Sequence, residues 1–167
     1  MKNKRGQGIF GISFGTIFSV ILIVFFIVIA FIVINSFLKT QKCAKIGLFI
    51  QDFKAEINSA WNSQSSSFES SLNLPSNLDY VCFANLSSDF KGEYLDIGDE
   101  IGIYQGQNAN LFLYPKKNTC DMPYHNIGHL DIGKITTLNN PYCIAVDDGK
   151  IVIQIEKGFN EALVQVS

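Results

Sequence analysis

Arginine occurs once in this 167-residue chain, at Arg5, and only 17% of the residues are charged. All 15 acidic residues lie after Leu38, where they face 10 Lys, a balance of −5 for that part. Binding to nucleic acid or anionic lipid rests on clustered Lys and Arg, so no nucleic-acid partner is expected. Histidine is scarce too: His125 and His129 are the only two, and no Ser or Cys beside them forms a nucleophile signature. A P-loop, a dinucleotide fingerprint and a zincin motif are missing, and no internal repeat is evident. The expectation is a protein that is not an enzyme and uses no cofactor. The length leaves room for one compact domain plus one hydrophobic segment.

Apolar residues are plentiful, at 47%. The 33 residues from Gly6 to Leu38 carry no charge, and every residue from Val20 to Ile34 is apolar. About 20 apolar residues in a helix cross the hydrocarbon core, so this segment spans a lipid bilayer with residues to spare. A secretory signal peptide has an apolar region of about 7 to 15 residues and a small-residue cleavage site. Here the run is longer and its far end, INSFLKTQK, has no A-x-A site, so classical removal is not expected. Lys39, Lys42 and Lys45 beyond the segment match Lys2, Lys4 and Arg5 before it, which leaves the charge rule balanced. A short basic N-terminal tail normally stays in the cytoplasm, which places the remainder outside.

Cys43, Cys82, Cys120 and Cys143 all follow the segment. An even count in a small exported domain indicates two disulfides, and three pairings exist. Cys43 with Cys82 and Cys120 with Cys143 are the favoured pairs, each closing a loop whose constraint contributes roughly 3 to 4 kcal/mol. Asn85-Leu86-Ser87 is one glycosylation acceptor sequon.

Residues 39–62 contain no Pro, and Ile46, Phe49, Ile50, Phe53, Ile57, Ala60 and Trp61 recur at helical spacing. Lys45, Gln51, Asp52, Lys54 and Glu56 take the other face. No breaker separates this stripe from the membrane segment, so one helix is expected from near Ile9 to near Trp61; the competing reading is two helices with a bend at the membrane surface. The polar stretch NSQSSSFESSLNLPSN reads as a loop. Residues 78–86, 100–106, 110–115, 142–146 and 150–157 read as strands, the last two flanking Asp147-Asp148-Gly149, a hairpin turn signal. Ile151, Ile153 and Ile155 mark a buried strand face. FNEALVQV closes the chain as a helical turn or an edge strand. The expected fold is α+β: a single long N-terminal helix, transmembrane half plus amphipathic half, packed on a small antiparallel β-sheet domain.

A short basic leader, a Gly, and an uncharged helix running into a small β-rich, disulfide-bonded domain resemble a type IV pilin-like protein. Lys4-Arg5-Gly6-Gln7 is similar to the class III signal peptide of archaeal prepilins. That resemblance implies cutting between Gly6 and Gln7 by a prepilin-type peptidase, with the helix kept on the mature chain. It divides the chain into a cytoplasmic leader (1–6), a transmembrane helix (7–38), an amphipathic helix with its connector (39–71) and a β-rich extracytoplasmic domain (72–167). Many pilins carry Glu at the fifth mature position, where it neutralises a neighbouring subunit's terminal amine. This chain has Gly11 there, so a minor or pseudopilin-like subunit, or an uncleaved anchor, fits better than a major subunit.

Gly11, Gly15 and Ser19 follow at intervals of four, with Gly8 close to the same side. Small residues on one face let helices approach in lipid, so this is a candidate surface for other pilin-like subunits or membrane helices; the plainer account is that Gly is frequent in membrane helices. Cys120, His125, His129 and Cys143 are zinc-type ligands, yet their spacing fits no strong template and an oxidising compartment favours disulfides, so no metal is expected. Asp96, Asp99 and Glu100 could supply oxygen ligands, although a solvated turn before a strand accounts for them. The readings left open are a filament or secretion-machine subunit, an uncleaved anchored ectodomain that binds a cell-surface ligand, and, more remotely, an anchored metalloenzyme.

Overall fold

The computed structural model describes residues 14–167, which fall into two compact units divided after Thr40. α1 (Phe14–Asn62) is one uninterrupted helix, so the two-helix alternative is not taken; the expected start near Ile9 lies outside the described residues. In the first unit α1 exposes its apolar side chains all round, with Phe26 at 63%, Phe31 at 66% and Ile32 at 63% exposure. In the second unit it buries Ile46, Phe49, Ile50, Phe53, Ile57 and Ala60 of the stripe read from the spacing, but Trp61 is 38% exposed; of the polar face Lys45, Gln51, Asp52 and Lys54 stay exposed and Glu56 is half-buried. The helix stops where its last carbonyls find new donors. Ser63 Oγ donates to Ala60 O at 2.6 Å, and Lys157 Nζ donates to Trp61 O and Ser63 O at 2.6 and 2.7 Å. A cation at this end also suits the helix dipole.

The chain continues through β1 (Ser66–Asn73), β2 (Tyr80–Phe83), α2 (Leu95–Ile101), β3 (Leu111–Tyr114), β4 (Tyr124–His125), α3 (Ile132–Ile135), β5 (Tyr142–Ala145), β6 (Lys150–Lys157) and β7 (Gln165–Val166). Among the described residues these strands form two antiparallel sheets, one of three strands in the order β1-β6-β7 and one of four in the order β4-β3-β2-β5. The amphipathic part of α1 shares a core with the inner faces of both: Val81, Phe83, Leu111 and Leu113 from the larger sheet, Leu72, Ile151, Ile153 and Ile155 from the smaller. Phe53 links helix to sheet, its ring 5.9 Å from Phe83 and 6.0 Å from Phe49. The four-stranded sheet is covered on its other face as well. There Cys82, Phe112 and Cys143 meet Ile97 and Ile101 of α2 amid Tyr80, Tyr94, Tyr104, Tyr114 and Tyr124. The arrangement is α+β, with the single sheet of the sequence reading resolved into two.

Three local expectations are overturned. The serine-rich connector is not all loop: its middle is β1, paired residue for residue from Ser66↔Lys157 to Asn73↔Lys150. Its period-2 pattern was masked because Ser70, 4% exposed, takes an inward position beside Leu72. Residues 100–106 are not a strand. Ile97 and Ile101, four apart, bury one face of α2, and a 3₁₀ turn over Gly102–Tyr104 follows. Gly98 permits this seat, since a Cβ there would lie 3.0 Å from Phe90 and 3.1 Å from Pro141. Asp147-Asp148-Gly149 does turn the chain, with φ of 45° at Asp148 and 73° at Gly149 and reciprocal bonds between Asp147 and Lys150. However, β5 and β6 diverge from it into different sheets, so no hairpin forms. The closing segment contributes β7 as an edge strand.

Candidate functional site

Among the described residues the first unit offers an apolar helical surface. The most hydrophobic 18-residue window of α1 has a mean hydropathy of 3.6 and none of it is buried, so this helix is long and apolar enough to cross a membrane. Gly15 and Ser19 lie on that exposed surface. Gly6, Gln7, Gly8 and Gly11 lie outside the described residues.

The cysteines pair differently from the favoured scheme. Cys43 bonds Cys120, across 77 residues, and Cys82 bonds Cys143, across 61. The second pair follows from strand register: β2 and β5 are neighbours, Cys82 stands opposite Cys143 with a Cα–Cα distance of 4.0 Å, and both side chains face α2. The first ties the start of the amphipathic stretch to the segment after β3. Proximity along the chain suggested the wrong partners because strand order, not spacing, sets which cysteines meet.

With both sulfurs so engaged, the set Cys120, His125, His129 and Cys143 cannot act as a thiolate zinc site. Among the described residues no three His, Cys, Asp or Glu side chains come together as a metal site. His129 lies flat on Trp61, ring centroids 3.7 Å apart and planes 11° apart, and Trp61 Nε1 donates to Ala162 O at 3.1 Å. His125 is half-buried on β4, its Nε2 lacking a hydrogen-bond partner. Desolvation, and then the charge of Lys54, hold it below its ordinary value. Asp96, Asp99 and Glu100 sit exposed on or beside α2 rather than in a turn before a strand, and Glu100 Oε1 accepts from the Tyr114 hydroxyl at 3.3 Å. That carboxylate is also the largest cause raising the Tyr114 hydroxyl above its ordinary value. None of these groups assembles a nucleophile with a base.

Two features were not read from the sequence. The Asn140 side chain is 1% exposed and fully engaged. Its Oδ1 accepts from Asn85 N at 3.0 Å, and its Nδ2 donates to Asn85 O, Ser88 O and Asp89 O. It thereby holds the loop carrying the Asn85-Leu86-Ser87 sequon, where Asn85 Oδ1 accepts from Ser87 N at 3.0 Å in an Asx turn. Beside this loop lies an open cleft of about 240 Å³, lined by Asn85, Ser87, Gln107, Asn108, Asn110 and Asn126. The polar run GQNAN at 106–110 and the Asn85-Leu86-Ser87 sequon were its signals in the sequence.

No protein-family model matches this chain, and neither a curated protein nor a solved structure is significantly similar to it.

Proposed function

We propose that the chain is a membrane-anchored, pilin-like structural or assembly subunit of a type IV filament or related cell-surface machine. The observation that carries this reading is α1 itself: one 49-residue helix, apolar on all sides in its first stretch and burying a single face under two sheets in its second. The first stretch suits lipid and neighbouring membrane helices, because packing of such surfaces drives association within a bilayer. Two disulfides in the second unit suit an extracytoplasmic location, with residues 1–6 on the cytoplasmic side. Gly8, Gly11, Gly15 and Ser19 are the proposed contact face, and a prepilin-type peptidase the processing partner. Gly11 in place of the usual Glu favours a minor or pseudopilin-like role. No catalysis is proposed.

The test is the mature N-terminus of protein extracted from its native membranes. A chain starting at Gln7 supports pilin-type processing. An intact Met1 overturns it in favour of the second reading, an uncleaved ectodomain that binds a partner at the cell surface without polymerising. Cysteine cross-linking from Ser19 then separates assembly from anchorage: a ladder of linked subunits belongs to a filament, a lone species to an anchor.

A further inference from the structure

We propose that the amide-lined cleft is a binding site for one uncharged saccharide ring. The cleft sits at the end of the four-stranded sheet where β2 ends, β3 begins and β4 ends. No charged side chain and no histidine lines it, so an ionic ligand finds no counter-charge there. What it offers is carboxamides. Those of Gln107, Asn108 and Asn126 make no hydrogen bond within the described chain. Each sets an acceptor oxygen beside an NH₂ donor, the arrangement that matches two neighbouring hydroxyls, themselves both donor and acceptor. Asn110 makes the wall rigid before any ligand arrives, donating from Nδ2 to Ile127 O and accepting at Oδ1 from Ile127 N, both at 2.8 Å. Leu86 and Ile132 add the apolar contact that the C–H face of a sugar ring requires. At about 240 Å³ the cleft falls below the roughly 300 Å³ lower bound of drug-sized pockets, which fits a single ring rather than an oligomer.

The sugar has two sources with the same chemistry. One is an external saccharide. The other is a glycan attached to Asn85, which lines the cleft and heads the acceptor sequon. Attachment forms a bond from Asn85 Nδ2 to C1 of a polyprenyl-phosphate-linked saccharide and breaks the C1–O bond. The phosphate leaves with the electron pair, and one Nδ2 proton passes to the transferase. The proposal is independent of the pilin-like reading, and its failure leaves that reading untouched.

Full-length protein in nanodiscs, made in a host without N-glycosylation, is probed by saturation-transfer NMR with N-acetylglucosamine, glucose, galactose and mannose. Millimolar binding of at least one is expected. Asn108→Leu combined with Asn126→Leu weakens it by about tenfold, the loss of one or two hydrogen bonds, at unchanged Tm. Gln107→Leu is the second variant, expected to act in the same direction. Equal transfer from wild type and variants, or no transfer from any of the four sugars, overturns the proposal. Protein from native membranes separates the sources. A mass step abolished by Asn85→Gln, on a chain that takes up no free sugar, identifies the attached glycan. An unmodified chain that still binds free sugar identifies the external one.

Discussion

Among the described residues, Asn140 makes more side-chain hydrogen bonds to loop backbone than any charged residue. Its buried side chain joins Asn85 to the 88–89 backbone, and its main chain exchanges bonds with Lys91 at 2.7 and 2.8 Å. Asn140→Ala removes all the side-chain hydrogen bonds to Asn85, Ser88 and Asp89, and a loss of about 3 kcal/mol is expected in urea unfolding. The opposite sign is expected at Gly47, on the exposed side of α1, where an added Cβ meets nothing within 4 Å. Gly47→Ala raises stability by about 1 kcal/mol, read as a higher urea midpoint at constant m-value. His125 sets a pH dependence. Because burial holds its folded value below 6.5, the unfolded chain takes up a proton that the folded chain refuses. Stability therefore falls as pH drops below about 6.5 and is retained above it. Urea midpoints at about pH 7.5 and about pH 5.5 show this loss, and His125→Gln reduces it. None of these three roles was visible beforehand, since a lone Asn, Gly or His has no spacing pattern; each acquires its role from what the fold places beside it.

At the scale of elements, legibility followed the clarity of the periodic signal. β6 is legible in its bounds and its buried face because Ile151, Ile153 and Ile155, all 0% exposed, alternate without interruption. The amphipathic stretch of α1 was equally plain. β1 is hidden because serine at an inward position imitates a loop, and α2 because Ile101 and Ile103 imitate strand alternation although Ile103 is 66% exposed. The disulfides also act between elements. Each closes a loop of 60 residues or more, so in the chain-entropy model each contributes about 4 kcal/mol. Their accessibilities differ: Cys82 and Cys143 are 0% and 7% exposed, whereas Cys43 and Cys120 are half-buried. Under limiting reductant the Cys43–Cys120 bond is expected to open first, and differential alkylation with peptide mass mapping identifies the thiols released.

At the scale of the whole molecule, the 25 residues from Phe14 to Leu38 make a helix about 37 Å long, against a hydrocarbon core of about 30 Å. The full chain is expected to stay with the membrane through an alkaline carbonate wash and to leave only with detergent; recovery in the wash supernatant contradicts a spanning helix. The amino-acid sequence by itself determined this segment, the amphipathic stripe after it, the α+β class and the presence of four cysteines suited to two disulfides. Each rests on composition or on a period counted along one stretch of chain. Only the tertiary structure decided that the strands divide into two sheets, that Cys82 meets Cys143, that Trp61 stacks on His129, and that three separate segments bring their amides to one cleft. Those facts depend on which strands become neighbours. That choice is made by burying α1, Ile-rich β6 and the two-sided apolar strands β2 and β3 in common cores, a sum over contacts distant in sequence.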